Sequence, residues 1–317
     1  MNSIGGYFEL ELQKGVEYHK SAIRLNTGRN ALELILKVKQ YKKVYIPFYT
    51  CDVILEPFNK LKIDYEFYYI DEKFEPLFNY SKILRSEGFL YTNYFGLKDS
   101  FISKLSEKCN NLIIDNSQAF YSLPKPGIPT FNSCRKYFGV PDGAYLYMDD
   151  VADLDFPQDN SSERLTHLIK RIELGAETAY GYFRTNENSL IGQPIMRMSK
   201  LTKALLCNID FDFASRKRIM NFLYFHKQLS KFNALKIELE DGSVPMVYPF
   251  LTDKTIIKKK LIDNKIFVAS YWPNVLEWCP DGSIEKKFTQ NLLNLPMDQR
   301  YSENQLQSVV DLILYHA

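Results

Sequence analysis

The chain has 317 residues, of which 45% are hydrophobic and 25% are charged, and its formal net charge is only +2. This composition is that of a globular protein with a sizeable core, and so small a net charge argues against a nucleic-acid-binding protein. No apolar run approaches the roughly 20 residues of a membrane helix, and glutamates stand where a signal peptide needs an apolar core, so we expect a cytoplasmic protein without a membrane partner.

The first half of the sequence alternates short apolar runs with segments of helical period. Strands are predicted at 43–48, 64–70, 88–95, 111–115 and 143–148, with helices at 30–41 and 100–110 among them. Strands separated by helices form βαβ units, so the pattern predicts an α/β fold with a mostly parallel sheet sandwiched by helices. Such a sheet binds ligands at the carboxyl ends of its strands.

The second half of the sequence is mainly helical and ends in a mixed segment. Helices are predicted at 162–174 and 198–232, short strands at 244–251, 264–272 and 291–297, and a closing helix after Ser302. Ser302 with Gln305 three residues later predicts a capping box for that helix. We expect a large α/β domain at 1–215 and a small C-terminal α+β domain at 216–317.

Thr27, Gly28, Arg29 and Asn30 come directly before the first amphipathic helix. A helix N-terminus offers unpaired N–H groups and the positive end of a dipole, so it is a phosphate-binding site, and a glycine there lets the backbone approach the ligand. The alternative is an ordinary capped helix, with Asn30 as the cap and Glu33 three residues on.

Asp115 ends a predicted buried strand, and Gln118 follows three residues later. A carboxylate in this place can keep the ring nitrogen of a pyridine cofactor protonated, which such a cofactor needs to act as an electron sink. The alternative is an aspartate that only caps the turn after the strand.

Ser133 stands three residues before Lys136, and a turn then leads into the strand predicted at 143–148. The serine could donate to a phosphate and the lysine could form an imine with an aldehyde. The alternative is a solvated Arg-Lys turn. The order of the three motifs, each at the expected ligand-binding edge, favours pyridoxal 5'-phosphate as the cofactor, and the few, scattered histidines predict no metal site.

The sequence resembles the DegT/DnrJ/EryC1/StrS group of sugar aminotransferases, which are pyridoxal-phosphate enzymes with the aspartate-aminotransferase-like fold. The segments that carry the resemblance run almost end to end: IGGYFELEL, NTGRNALEL, VYIPFYTCDVILEPF, YTNYFGL, IIDNSQAF, KYFGVPDGAYLY, GQPIMRMSKLTKALL and NLPMDQRYSENQL. The resemblance implies that Lys136 forms the imine, that Asp115 pairs with the pyridine nitrogen and that Gln118 contacts the cofactor near its ring hydroxyl. Gly28 and Arg29 match the phosphate-binding turn.

The sequence also departs from the family pattern at several positions. The family more often has a hydroxyl residue in place of Arg29, and it usually has its phosphate serine at the position of Phe131 rather than Ser133. Cys51 stands where many members stack an aromatic ring on the cofactor. Pro194 lies near the position of an asparagine that a neighbouring subunit commonly lends to the phosphate.

The activity implied by the resemblance is transamination. An amino donor such as glutamate would supply the amino group, and a nucleotide-linked keto-sugar would accept it in the synthesis of a surface polysaccharide or another glycan. The site would lie between the subunits of a homodimer, with the segment 175–194 shaping the partner's site. Two alternatives stay open: another pyridoxal-phosphate reaction such as a lyase, and a scaffold that has lost catalysis and only binds a ligand.

Overall fold

The computed structural model describes residues 4–149 and 155–316. Its strands are β1 (Ile23–Leu25), β2 (Lys43–Pro47), β3 (Asp64–Tyr68), β4 (Glu87–Thr92), β5 (Leu112–Asp115), β6 (Thr130–Phe131), β7 (Ala144–Tyr147), β8 (Tyr248–Leu251) and β9 (Leu292–Leu295). Its helices are α1 (Gly28–Lys39), α2 (Leu55–Leu61), α3 (Asp99–Ser106), α4 (Thr166–Ser189), α5 (Lys200–Cys207), α6 (Phe211–Leu229), α7 (Thr255–Asp263), α8 (Val275–Trp278), α9 (Ile284–Asn291) and α10 (Glu303–His316). Among these described residues, no helix combines the length and the apolar character that a membrane crossing requires.

Seven strands form one sheet in the order β1-β7-β6-β5-β4-β2-β3. The pairs β3–β2, β2–β4, β4–β5 and β5–β6 are parallel, whereas β7 runs antiparallel to both β6 and β1. The prediction of a mostly parallel sheet within an α/β fold is therefore confirmed. The parallel strands bring their carboxyl ends to one edge, which is where ligands bind in such sheets.

Alternate residues along the central strands enter two separate cores. Val44 and Ile46 of β2 pack with α1 on one face of the sheet, whereas Tyr45 between them joins the larger core on the other face. Strand β4 follows the same rule, because Leu90 faces the α1 side and its neighbours Phe89 and Tyr91 face the larger core. This two-residue alternation buries both faces of the sheet.

Helix α1 begins two residues earlier than the sequence predicts. The side chain of Thr27 accepts a hydrogen bond from the N–H of Asn30, so Thr27 is the N-cap and the first helical residue is Gly28. The alternative that made Asn30 the cap is wrong, because Asn30 already lies inside the first turn. The amino end of α1 is thereby placed next to the carboxyl edge of the sheet.

The C-terminal part of the chain packs against the larger core of the sheet. Strands β8 and β9 form a two-stranded antiparallel sheet, and α6 and α10 pack together beside it. The capping box is confirmed in one of its two bonds, because the Gln305 side chain accepts the Ser302 N–H at 2.9 Å. The predicted boundary after residue 215 falls within α6, and the division into two domains stays a prediction.

The prediction of a strand at 264–272 is wrong. This segment makes only an isolated bridge, from Ala269 to Asn294, and is otherwise irregular. Its last two residues, Tyr271 and Trp272, pack on aromatic rings of the large sheet's own core, which draws the chain away from β9. The segment therefore extends toward the carboxyl edge of the large sheet.

Candidate active site

A cavity of about 560 Å³ opens at the carboxyl ends of β2, β4 and β5. Its volume lies within the range of about 300–1,000 Å³ that small-molecule sites occupy. The predicted site residues that line it are Thr27, Gly28, Arg29, Cys51, Asp115, Gln118, Ser133 and Lys136. Residues distant in sequence thus meet at the edge where the parallel sheet predicts chemistry.

Asp115 lies at the floor of this cavity as the last residue of β5. Strand register fixes it between Thr92 of β4 and Phe131 of β6, and its side chain is only 8% exposed. Burial raises the pKa of Asp115, while the N–H of Ser117, which donates to Oδ1 at 2.8 Å, and the charge of Lys136 lower it in part. A carboxylate held in this way is stabilised when a cationic group binds beside it.

Lys136 projects from a short 3-10 turn, Cys134–Lys136, that follows β6. Cys134, the buried first residue of the turn, holds the turn in place, because its N–H donates to the carbonyl of Gly143 at 3.0 Å. Gly143 has φ of +106°, and a Cβ there would lie 2.8 Å from Thr202, so the return into β7 requires glycine. The Lys136 side chain is exposed into the cavity, with Nζ 5.9 Å from the ring centre of Tyr271.

The N-terminus of α1 forms another wall of the cavity. A Cβ on Gly28 would lie 3.6 Å from the carbonyl of Asn132 and 3.7 Å from the hydroxyl of Ser117, so the glycine keeps this cleft open. Arg29 is not free in this structure, because its guanidinium pairs with Glu56 at 2.8 Å. The cleft combines helix N–H groups, a hydroxyl and a cation, which are the groups that bind phosphate.

Asn30 is the predicted site residue whose side chain does not line the cavity. It is buried, and its amide donates to the carbonyl of Gln193 at 2.8 Å and to Glu33 at 3.3 Å. These bonds tie the first turn of α1 to the loop after α4. In the structure Asn30 therefore stabilises the N-terminus of α1 on the side away from the cavity.

Gln118 lines the cavity and carries an unpaired donor. Its Oε1 accepts the N–H of Phe95 at 3.0 Å, while its buried Nε2 has no hydrogen-bond partner among the described residues. A buried polar group without a partner costs about 1–3 kcal/mol, so an unpaired amide on the wall of a cavity points to a ligand acceptor. Ser133 is half-buried beside it and also lines the cavity.

The thiol of Cys51 shares the cavity with Lys136. Its Sγ lies 3.5 Å from Oδ1 of Asp52. Burial raises the pKa of the Cys51 thiol, and the nearby positive charge of Lys136 opposes that rise. Cys51 is therefore mainly neutral near pH 7 and contributes a small, apolar surface to the wall.

Helix α4 supplies part of the site that the sequence did not predict. Tyr180, Phe183, Arg184 and Glu187 line the mouth of the cavity. Glu187 pairs with Arg135 at 2.5 Å. Burial raises the pKa of Glu187, but the charges of Arg135, Lys136 and Arg29 together hold it below its usual range.

The segment 175–194 thus lies against the cavity of its own chain, a placement that the sequence prediction did not include. Whether it also reaches a partner's site stays a prediction. Trp272, from the irregular segment after α7, completes the lining. In residues 4–149 and 155–316, no group of three or more His, Cys, Asp or Glu side chains is arranged to hold a metal ion.

Neither protein-family models nor curated proteins include a match to this chain. Among solved structures, a DegT DnrJ EryC1 StrS aminotransferase from Brucella abortus has 16% identity and a TM-score of 0.64, over 93% of this chain and 86% of that one. The sugar aminotransferase CalS13 from Micromonospora echinospora has 15% identity and a TM-score of 0.65, over 93% and 87%. NtdA from Bacillus subtilis, solved with bound cofactor PMP, has 14% identity and a TM-score of 0.65, over 93% and 72%.

These likenesses extend over nearly the whole of this chain. At such low identity they establish the fold and not the reaction. The chain therefore has the aspartate-aminotransferase-like fold of the DegT/DnrJ/EryC1/StrS aminotransferases, as the resemblance of its sequence implied.

Proposed function

We propose that this protein is a pyridoxal-phosphate-dependent aminotransferase. The observation that carries the proposal is the convergence of Lys136, Asp115 and the N-terminus of α1 on one cavity of suitable volume. An exposed primary amine, a buried carboxylate and a phosphate cleft are the three groups that a pyridine aldehyde phosphate needs. The unpaired Nε2 of Gln118 adds a donor for a ring oxygen.

Each residue of the site would have a separate role in the reaction. The bound cofactor supplies an electron sink for the charge that develops at the substrate carbon. Lys136 would hold the cofactor through Nζ, and its amine would accept the proton that leaves the substrate carbon. Asp115 would keep a proton on the pyridine nitrogen, because the positive charge would stabilise its buried carboxylate. Gly28, Arg29 and Ser133 bind the phosphate.

The proposed substrates are an amino donor such as glutamate and a nucleotide-linked keto-sugar, used in the synthesis of a glycan or a surface polysaccharide in the cytoplasm. The likeness to the sugar aminotransferase CalS13 supports this choice. The mouth of the cavity also suits an anionic substrate with a ring, because Arg184 stands there beside Tyr180 and Phe183.

We also propose a homodimer. Helix α4 carries large apolar side chains on its outer surface: Ile169 is 51% exposed, Ile172 83% and Leu174 51%. Exposed apolar groups concentrated on one element are typical of an interaction surface. These residues precede a kink at Gly175, where φ is +82°, and the part of α4 after the kink lines the cavity. A second subunit bound across both parts of α4 would lie close to the site.

The experiment that tests this function is a visible absorption spectrum of the purified protein with pyridoxal phosphate. We expect an absorption band of the lysine-bound cofactor that disappears when glutamate is added and returns with a keto acid. No band with excess cofactor would refute the proposal. A band that no amino donor discharges, with release of a cleaved product, would indicate a lyase instead.

A further inference from the structure

A loop from the C-terminal part of the chain reaches the cavity and is held there. The side chain of Asn274 donates to the carbonyl of Thr50 at 2.9 Å, and Thr50 directly precedes Cys51 in the cavity wall. Trp272, two residues before Asn274, lines the cavity and is only 8% exposed. The hydrogen bond thus fixes the loop against the wall that the segment after β2 forms.

Neighbouring rings hold the Trp272 side chain in place. Its ring packs edge-on against Tyr49, with ring centres 4.8 Å apart, and stacks on Tyr271 at 5.5 Å. Tyr271 stacks in turn on Phe95 at 6.4 Å. An aromatic ring with such neighbours has a fixed orientation, and the small part of Trp272 that stays exposed lines the cavity.

The same aromatic group lies beside the reactive lysine. The Lys136 Nζ is 5.9 Å from the ring centre of Tyr271, the direct neighbour of Trp272. A planar group joined to Nζ must therefore lie close to this corner of the cavity. Cys51, on the β2 side of the same corner, offers no aromatic surface.

We propose that Trp272 is a cofactor-positioning residue whose ring contacts the planar ring of a pyridine aldehyde bound at Lys136. This inference rests on the proposed function. Planar rings prefer offset-stacked or edge-on contact with an aromatic side chain, and such contacts add to the area that they bury. The C-terminal part of the chain thereby supplies the aromatic wall that the β2 side lacks.

The test uses fluorine NMR, because the chain has only two tryptophans and the ring current of a bound pyridine shifts only resonances that lie close to it. The protein is labelled with 5-fluorotryptophan, and the variants Trp272→Phe and Trp278→Phe assign the two resonances. Trp278 is the matched control, since it packs against Phe67 at 4.9 Å and does not line the cavity. On titration with pyridoxal phosphate we expect the Trp272 resonance to shift and the Trp278 resonance to stay.

Affinity gives a second measurement. We expect Trp272→Ala to weaken binding of pyridoxal phosphate by about tenfold, and Trp272→Phe by much less, because phenylalanine keeps an aromatic face. Borohydride reduction and mass mapping of Lys136 show separately whether the cofactor is bound. An unmoved Trp272 resonance with Lys136 fully labelled would overturn the positioning role alone. Absence of label at Lys136 would overturn the proposed function, and the positioning role with it.

Discussion

The carboxylate of Glu187 lies 2.5 Å from the guanidinium of Arg135, the residue directly before Lys136. This pair places an anion of α4 among the cations of the candidate site. We expect Glu187→Gln to tighten binding of pyridoxal phosphate by roughly fivefold, about 1 kcal/mol, because the variant removes a charge that repels the phosphate. A titration at low salt measures the effect, since salt screens it.

Glu177→Gln is the control for this prediction. Glu177 also lies on α4, but it pairs with Lys265 at the surface, where both side chains are more than half exposed. That variant should bind the cofactor as the wild type does. Weaker binding by Glu187→Gln would mean that Glu187 holds Arg135 in position for the ligand.

Lys136 is predicted to be the residue that holds the cofactor. After reduction with borohydride, peptide mapping should find the pyridoxyl group on Lys136, and Lys136→Ala should remove both the label and the turnover. Lys203→Ala, at an exposed position of α5, should change neither. A label that remains in the Lys136→Ala variant would show that another amine binds the cofactor.

Asp115→Asn should have opposite effects on stability and on activity. Burial raises the pKa of Asp115 above its ordinary 3.8, so the folded apoprotein binds this proton more tightly than the unfolded chain does. The stability of the apoprotein therefore falls as the pH rises from about 3.8 through the raised pKa, and the penalty remains at neutral pH. We expect Asp115→Asn to raise the melting temperature of the apoprotein at pH 7 and to have less effect near pH 4.

The same substitution should leave the imine in place but lower turnover by about 100-fold, the size of effect seen when one electrostatic stabiliser of a transition state is removed. Half-reaction rates with glutamate give this number. Rates near those of the wild type would show that Asp115 only ends a strand.

Arg29 is predicted to bind the cofactor phosphate, although it pairs with Glu56 in this structure. Arg29→Ala should weaken cofactor binding by about 1.5–3 kcal/mol, the range for hydrogen bonds to charged groups. Part of that loss would come from the Glu56 carboxylate, which would lose its cationic partner and repel the phosphate. The double variant with Glu56→Gln should therefore bind more tightly than Arg29→Ala alone, and unchanged affinity in the single variant would mean that Arg29 only holds Glu56.

The homodimer is predicted to use the outer face of α4. Ile172 is 83% exposed, and Ile172→Glu should shift the protein toward monomers in sedimentation experiments, because a carboxylate cannot be buried there without a partner. Leu84→Glu, at another exposed apolar position, is the control and should not change the association state. A fully active wild-type monomer at working concentration would contradict the shared site.

The central part of the fold could be predicted from the sequence because its signals are local. Strands β2 to β5 are apolar runs bounded by turn residues. Asp115 is found by its position at the end of such a run, and Lys136 is found by the serine three residues before it and the turn into the next strand. Strands β1 and β6 were missed because three and two residues are too few to show a pattern. Strand β1 depends on its pairing with β7, and β6 depends on its pairing with both β5 and β7.

The remainder of the site depends on contacts between distant segments. The sequence from 264 to 272 has the apolar character of a strand, but its end packs on Tyr49 and Phe95 rather than on β9. In the same way, nothing local to α4 indicates that Glu187 meets Arg135, 52 positions away in the printed sequence. Site residues that are brought together by contacts between distant segments can be identified only when the packing is known.

The hydrogen bond from Asn274 to Thr50 joins residues 224 positions apart, and this separation affects how the protein matures. During synthesis the segment from Thr27 to Lys136 leaves the ribosome long before Asn274 does. Contacts between such distant residues also carry a large entropy cost of loop closure, and they form late in folding. A nascent chain can therefore present its lysine and its helix N-terminus first, and the loop that carries Trp272 closes over them last.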